Sequence, residues 1–244
     1  MQTLPRAEGA CAFFFDFDGT LSDLAERPEA VRVDPGVPLA LARLRVRCEG
    51  ALAVISGRPV AEIDQHLWPE TLPAAGVHGA ERRCADGRWQ RLALPEVELA
   101  LPELAAWCAA RPGLRLERKP GALALHFRAA ESLQPECLAA MQRAQRRVPG
   151  TVLLEGKMVV EMKPAAVDKG RALRAFMAEP PFAGRRPWFF GDDVTDEAAF
   201  DAVHALGGVA VKVGAGATRA PWRLADPAAL RAWLERAAVG EALA

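Results

Sequence analysis

The sequence predicts an α/β protein, with a doubly wound, Rossmann-like parallel-sheet core and an inserted α+β domain. Three observations support this prediction. Short apolar segments alternate with helical segments at both ends of the chain, several of the apolar segments stop at polar residues, and the middle of the chain contains hairpin patterns instead. We therefore expect residues 1–79 and 163–244 to form the core and residues 80–162 to form the insertion.

The first predicted elements follow the pattern of strand, helix and strand. Residues 10–15 form an apolar run that ends at an aspartate, which is typical of a buried parallel strand. Residues 34–50 begin with Asp-Pro and end with Gly, and an apolar face from Leu39 to Val46 predicts a helix between them. A second apolar strand, residues 51–55, breaks at Ser-Gly, and residues 58–67 continue as a helix.

The middle of the chain has a different pattern. Residues 81–94, 114–128 and 151–164 each contain two alternating segments around a turn with Asp-Gly, Pro-Gly or Gly, which predicts three hairpins. Helical patterns at residues 96–110 and 131–147 lie between the hairpins. This region therefore predicts a separate antiparallel module.

The last part of the chain returns to the parallel pattern. Residues 167–180 predict a helix, residues 186–203 predict a strand, a loop and a helix, and residues 207–214 predict a further strand. We expect the Ala-rich end, residues 235–244, to fray.

The composition is that of an ordinary globular protein. The 244 residues are 51% hydrophobic and 25% charged, and 31 basic residues balance 31 acidic ones. Because there is no net positive charge, we expect no nucleic acid and no membrane as a partner. The five cysteines are scattered without C-x-x-C spacing, and the sequence has no signal-peptide or membrane-span pattern, which favours a reduced cytoplasmic protein.

Polar residues follow three of the predicted parallel strands. Ligands of open α/β sheets bind outside the carboxyl ends of the strands, so we expect these side chains to converge. Carboxylates that share a crevice need a counter-charge, and Mg²⁺ prefers carboxylate oxygens, water and phosphate oxygens. The polar residues are Asp16, Asp18, Ser56, Asp192, Asp193 and Asp196.

Each of these groups also has a purely structural interpretation. The D-x-D-G segment can be a capped turn, Ser56 can cap a helix, and the acidic residues 192–197 can favour a helix start. Lys169, taken alone, is typical of a surface lysine. Their joint occurrence at strand ends and at the helix starts behind them favours a functional site.

Four segments, in order, resemble the signature motifs of the haloacid dehalogenase superfamily of phosphohydrolases. They are "DFDGT" (16–20), "ISGR" (55–58), "DKG" (168–170) and "GDDVTDE" (191–197). The region between the second and third motifs is where one subdivision of that superfamily carries an α+β cap. Within the chain, "GKMVVEMKPAAVDKG" (156–170), "GVHGAE" (76–81) and "LALHFR" (123–128) resemble segments of trehalose-6-phosphate phosphatases.

The superfamily resemblance implies a role for each catalytic residue. Asp16 would attack phosphorus and form an aspartyl-phosphate, while Asp18 would act as general acid and then as general base. Ser56 and Lys169 would bind the phosphoryl oxygens.

The same resemblance implies a Mg²⁺ cofactor. The ion would be held by the Asp16 side chain, the Asp18 main-chain carbonyl and Asp192. Asp193 and Asp196 would orient bound water molecules or Lys169.

Substrate selection is expected in the cap. Lys157 and Glu161 lie four residues apart on one predicted strand, hence on one face, and both could point at a sugar. By resemblance, substrate contacts extend to further residues, although Arg128 could be a surface cross-strand partner and His126 a half-buried histidine. These further residues are Gly57, Arg58, His78, Glu81, His126 and Arg128.

The resemblance thus implies a Mg²⁺-dependent hydrolase of trehalose 6-phosphate. We expect the protein to be a monomer or weak homodimer. Three alternatives remain open: a phosphatase of another sugar phosphate, of the sucrose or mannosylglycerate type, a phosphosugar mutase, or a sugar-phosphate sensor without catalysis. Retention of both Asp16 and Asp18 argues against the sensor.

Overall fold

A computed structural model of the chain describes residues 4–25, 30–156 and 158–240. It divides the chain into two compact units, with boundaries between residues 91 and 92 and between residues 167 and 168.

The strands, in chain order, are β1 (Cys11–Phe15), β2 (Leu52–Ile55), β3 (Ala74–Gly76), β4 (Glu81–Arg83), β5 (Trp89–Arg91), β6 (Arg115–Lys119), β7 (Ala122–His126), β8 (Thr151–Gly156), β9 (Val159–Pro164), β10 (Arg186–Gly191), β11 (Val209–Val213) and β12 (Trp222–Leu224). The α-helices are α1 (Gly36–Arg47), α2 (Val60–Leu67), α3 (Leu101–Ala109), α4 (Gln134–Arg147), α5 (Lys169–Met177), α6 (Glu197–Ala205) and α7 (Pro227–Val239).

The first unit is built on an eight-stranded sheet with the order β12-β11-β10-β1-β2-β3-β4-β5. The strands from β12 to β3 are parallel, whereas β4 and β5 are antiparallel to their neighbours. The parallel core that the sequence predicts is confirmed.

The phenylalanines of β1 show how helices cover both faces of this sheet. Successive strand residues point to opposite faces. Phe13 contacts Trp233 of α7, with ring centroids 5.9 Å apart, whereas Phe14 contacts Phe176 of α5 at 6.0 Å. Helices α7 and α5 therefore lie on opposite faces, as a doubly wound fold requires, and β1 is buried between them.

Two sequence predictions for helices in this unit are wrong. In α1 the buried residues recur at the period of a helix, so Leu39 and Val46, at the ends of the predicted apolar face, are exposed. The buried residues of α1 are Val37, Pro38, Ala40, Leu41 and Leu44.

Near the C-terminus, α7 continues to Val239 with Trp233 and Leu234 buried, so residues 235–239 do not fray. Residues 241–244 lie outside the described ranges.

The second unit has an antiparallel sheet with the order β6-β7-β9-β8. The two hairpins predicted here are confirmed, with β6 pairing β7 and β8 pairing β9. One face of this sheet contributes Leu123, Leu125, Val160 and Met162 to a core shared with α3 and α4. Successive strand residues point to opposite faces, so the opposite face carries charged residues of both strands: Arg115, Glu117 and Lys119 of β6, and Glu161 and Lys163 of β9.

The predicted boundaries of the insertion need correction. The first of the three predicted hairpins, β4 and β5, pairs with β3 and extends the sheet of the first unit. At the other end, residues 163 and 164 complete β9. The second unit therefore spans residues 92–167 and not 80–162.

All five cysteines are buried free thiols. Within the described ranges, no helix is long and apolar enough to cross a membrane.

Candidate active site

The parallel sheet places the predicted polar residues at one edge. Asp16, Ser56 and Asp192 directly follow β1, β2 and β10, which are parallel to one another. Parallel strands end at the same edge, so residues far apart in sequence meet there.

Three carboxylates come together at this edge. Asp16, Asp192 and Asp196 each offer an oxygen atom, and these atoms lie within 4.8 Å of one another. Lys169, at the first position of α5, places its Nζ 2.6 Å from Asp16 Oδ1 and 2.7 Å from Asp196 Oδ1. The Lys169 side chain is only 2% exposed, so this contact is made away from solvent.

Both carboxylate oxygens of Asp196 already accept hydrogen bonds from the protein. One oxygen accepts the Lys169 hydrogen bond, and the other accepts the main-chain N–H groups of Asp192 and Asp193 at 2.9 Å. The Asp193 side chain in turn accepts the Asp196 main-chain N–H. Asp193 and Asp196 therefore fix the loop that presents Asp192, while Asp16 and Asp192 have more capacity for an external cation.

The electrostatics indicate a shortage of positive charge. Burial, and then the charge of Asp196, raise the pKa of Asp16 well above its ordinary value despite the nearby Lys169. The same two causes raise the pKa of Asp192 to about 7. Burial lowers the pKa of Lys169, but the adjacent carboxylates raise it by more. A hard divalent cation would supply the missing charge, and carboxylate oxygens are its preferred ligands.

Gly19 allows Asp192 to approach the loop after β1. Its φ is +75°, and a Cβ atom on this residue would lie 2.2 Å from Asp192 Oδ2. No side chain fits there, so the glycine of "DFDGT" is required both by its conformation and by the position of the carboxylate.

Asp18 is held by an arginine. Its two carboxylate oxygens accept hydrogen bonds from Arg58 Nε at 2.7 Å and Arg58 Nη2 at 2.8 Å. Arg58 Nη1 also donates to Glu62 at 3.1 Å. The residue predicted as acid and base and one predicted as a substrate ligand therefore bind each other.

Ser56 and Gly57 form the turn after β2. The Ser56 hydroxyl oxygen accepts the main-chain N–H of Arg58 at 3.1 Å, and a hydroxyl that accepts can still donate its proton. Pro59 occupies the N-cap position of α2 and makes no side-chain hydrogen bond there, so Ser56 shapes the turn and is not the N-cap of that helix. The His78 ring lies against Gly57, where a Cβ atom would be 2.9 Å from His78 Cε1.

The segment after β3 has an unusual backbone. Val77 and His78 have φ values of 49° and 56°, and such conformations in residues other than glycine concentrate at functional sites. Glu81 has a partner within the fold, because its Oε1 accepts the Val60 main-chain N–H at 2.8 Å at the start of α2.

Lys212 was missed by the sequence analysis. It lies in β11, its side chain is buried, and its Nζ donates to the main-chain oxygen of Asp192. A lysine inside the buried run "VAVKV" was the available signal, since parallel strands in such sheets are otherwise apolar.

In the second unit, His126 and Glu161 both pair with residues of β6. His126 Nε2 lies 2.8 Å from Glu117 Oε2, and Lys119 Nζ lies 3.5 Å from Glu161 Oε1. Burial raises the pKa of Glu117, but His126 and Lys119 lower it by more, and the net pKa is below its ordinary value. The sequence analysis did not single out Glu117 and Lys119 as site residues. The available signal was the charged residues at alternate positions of β6, Arg115, Glu117 and Lys119, which share one face of the strand.

Two further predicted residues remain. Arg128 is exposed beyond the end of β7, and Lys157 lies outside the described residues.

Comparison with known proteins identifies the family. The trehalose-phosphatase family model matches residues 14–228. The chain is 43% identical over 234 residues to trehalose-6-phosphate phosphatase of Escherichia coli K12, covering 95% of this chain and 88% of that protein. It is 46% identical over 205 residues to a probable trehalose-phosphate phosphatase of Sinorhizobium fredii, covering 83% and 77% respectively.

Solved structures agree with this result. A crystal structure of a trehalose-6-phosphate phosphatase related protein matches with a TM-score of 0.78 and 28% identity, covering 93% of this chain and 97% of that one. The C-terminal domain of Candida albicans trehalose-6-phosphate phosphatase shares the fold, with a TM-score of 0.80 at 22% identity over 94% and 92% of the two chains. The chain belongs to the trehalose-phosphatase family.

Proposed function

We propose that this protein hydrolyses trehalose 6-phosphate to trehalose and phosphate. The observation that carries the proposal is the buried Asp16, in contact with Lys169 and beside Asp192 at the edge of a parallel sheet. The activity named for the relatives from E. coli and S. fredii supports the choice of substrate.

The chemistry requires a nucleophile and a proton carrier. Asp16 Oδ attacks phosphorus, the bond from phosphorus to the sugar oxygen breaks, and Asp18 gives its proton to the leaving sugar oxygen. Asp18 then takes a proton from water, which attacks the aspartyl-phosphate and restores the Asp16 carboxylate with release of phosphate.

Ser56 and Lys169 hold the phosphoryl group. The Ser56 hydroxyl can donate to a phosphoryl oxygen from the turn after β2. Lys169 offsets the negative charge that grows on the equatorial oxygens, and its position is fixed by Asp16 and Asp196.

The donor set fits Mg²⁺. The ion would be held by the Asp16 side chain, the Asp18 main-chain carbonyl and Asp192, and it would neutralise charge on the phosphoryl oxygens. Asp193 and Asp196 keep the Asp192 loop in place.

The polar face of the second unit is proposed to recognise the sugar. A disaccharide offers many hydroxyl groups, so its site needs charged groups that make directional hydrogen bonds. Glu117, Lys119, His126 and Glu161 provide such groups on one face of the antiparallel sheet. Lys157 belongs to the same proposal by its sequence position.

A phosphate-release assay on a panel of phosphosugars, with Mg²⁺ and with EDTA, tests the proposal. We expect release from trehalose 6-phosphate with Mg²⁺, little release from glucose 6-phosphate, and none with EDTA. Equal rates on the two sugars would exclude the trehalose assignment. An isomeric phosphosugar as product would indicate a mutase, and binding without phosphate release would indicate a sensor.

A cytoplasmic location is part of the proposal. The five buried thiols support it, because free cysteines persist in a reducing compartment.

A further inference from the structure

Arg58 is held by the protein's own groups on several sides. Its Nε and Nη2 donate to Asp18, its Nη1 donates to Glu62, and its guanidinium carbon lies 5.5 Å from the centroid of the Phe17 ring. The side chain is 9% exposed. Little of this guanidinium is left to contact a ligand.

The pairing with Asp18 is specific in its geometry. A guanidinium that donates two parallel hydrogen bonds to a carboxylate fixes the position and the plane of that carboxylate. Asp18 lies in the loop after β1 and Arg58 in the turn after β2, so the pair also ties together two loops of the candidate site. A proton carrier must be held to within a fraction of an ångström to serve its reaction.

We propose that Arg58 is a positioning residue for Asp18 and not a ligand of the sugar phosphate. The proposal rests on the proposed function, in which Asp18 carries the proton. Arg58 acts through Asp18: it holds the carboxylate where it can exchange a proton with the leaving oxygen and with water.

The chain offers a matched control. Arg83 donates to both oxygens of Asp64, at 2.7 and 2.6 Å, and links β4 to α2 away from the carboxylate cluster. The side chains of Arg83 and Asp64 are 11% and 33% exposed, against 9% and 35% for Arg58 and Asp18. Loss of either arginine removes a comparable ion pair, but only Arg58 contacts a residue of the proposed mechanism.

The experiment compares Arg58→Gln, Arg58→Lys and Arg83→Gln in the full chain with Mg²⁺. We expect Arg58→Gln to lower kcat for trehalose 6-phosphate about 10- to 100-fold with KM within about threefold of wild type. Arg58→Lys keeps the charge without the two parallel bonds, and we expect a loss of about tenfold. Arg83→Gln should leave kcat within about twofold while lowering the melting temperature as Arg58→Gln does.

Binding provides a readout that does not depend on turnover. In the Asp16→Asn background, calorimetry with trehalose 6-phosphate should give a Kd that Arg58→Gln changes by less than about threefold. A Kd or KM raised about tenfold or more would overturn the proposal and make Arg58 a substrate ligand. A kcat for Arg58→Gln equal to that of Arg83→Gln would overturn it as well, because the role would then be only structural. Absence of turnover by the wild type would instead refute the proposed function, whatever the variants bind.

Discussion

Lys169 Nζ lies 2.6 Å from Asp16 Oδ1, and both side chains are almost completely buried. A second carboxylate, Asp196, lies 2.7 Å from the same nitrogen. One ammonium group therefore contacts two buried carboxylates, and it offsets only part of their negative charge.

Replacing Lys169 by Met should affect both stability and turnover. Two buried carboxylates would lose their counter-charge, and we expect a loss of about 3 kcal/mol in the free energy of unfolding with EDTA at pH 8. Turnover with Mg²⁺ should fall at least about 100-fold. Urea unfolding and phosphate release measure the two effects. Lys169→Arg is the control that retains the charge, and unchanged unfolding in Lys169→Met would contradict the assignment.

The metal-free protein should become less stable as pH rises. Because the folded-state pKa values of Asp16 and Asp192 are raised, ionisation of these groups opposes folding. The stabilising contribution of Asp192 is lost as pH rises from about 4 through about 7, and that of Asp16 is also lost as pH rises. With EDTA at pH 8, Asp192→Asn should therefore be more stable than wild type by about 2 to 4 kcal/mol.

Melting temperatures at several pH values, with EDTA and with Mg²⁺, measure this dependence. The advantage of Asp192→Asn in EDTA should vanish near pH 4, and Mg²⁺ should stabilise the wild type more than the variant. An advantage that grows toward low pH would contradict the account.

Gly19→Ala should disable the site through Asp192. The added methyl group cannot share space with Asp192 Oδ2, so the carboxylate must move, and we expect kcat to fall at least about 100-fold. Gly87 is the control, since its φ is +85° and nothing lies within 4 Å of a Cβ atom there. Gly87→Ala has similar backbone strain, and kinetics equally impaired in both variants would show that strain alone is responsible.

The polar face of the second unit should affect recognition of the sugar. Lys119 lies 3.5 Å from Glu161 on that face, whereas its neighbour Arg118 is exposed and pairs with Glu98. Lys119→Ala should raise KM for trehalose 6-phosphate about tenfold and leave hydrolysis of p-nitrophenyl phosphate unchanged, while Arg118→Ala should change neither. Steady-state kinetics on both substrates measures these effects. An equal loss on trehalose 6-phosphate and on p-nitrophenyl phosphate in Lys119→Ala would argue against sugar recognition by this face.

The sequence predicts the carboxylate cluster well for a physical reason. Asp16 and Asp192 follow apolar strands, and the parallel order of such strands brings their ends to one edge whatever their separation in sequence. Gly19 and Lys169 lie next to these strand ends or at the helix start behind them, so the same patterns locate them.

Other features depend on contacts that no local pattern encodes. The hairpin of β4 and β5 has the same alternation whether it joins the first sheet or the second, so the boundary of the insertion was misplaced. The pairing of Asp18 with Arg58 joins residues 40 positions apart. Lys212 was a visible anomaly in an apolar strand, but its partner is a main-chain oxygen, which leaves no mark in the sequence.

Mass analysis of the enzyme after rapid acid quench during turnover of trehalose 6-phosphate tests whether Asp16 is the nucleophile. We expect one phosphoryl group, located by peptide fragmentation on Asp16 in the wild type with Mg²⁺ and missing from Asp16→Asn. Steady phosphate release from trehalose 6-phosphate by Asp16→Asn, or a phosphoryl group found on another residue, would contradict it.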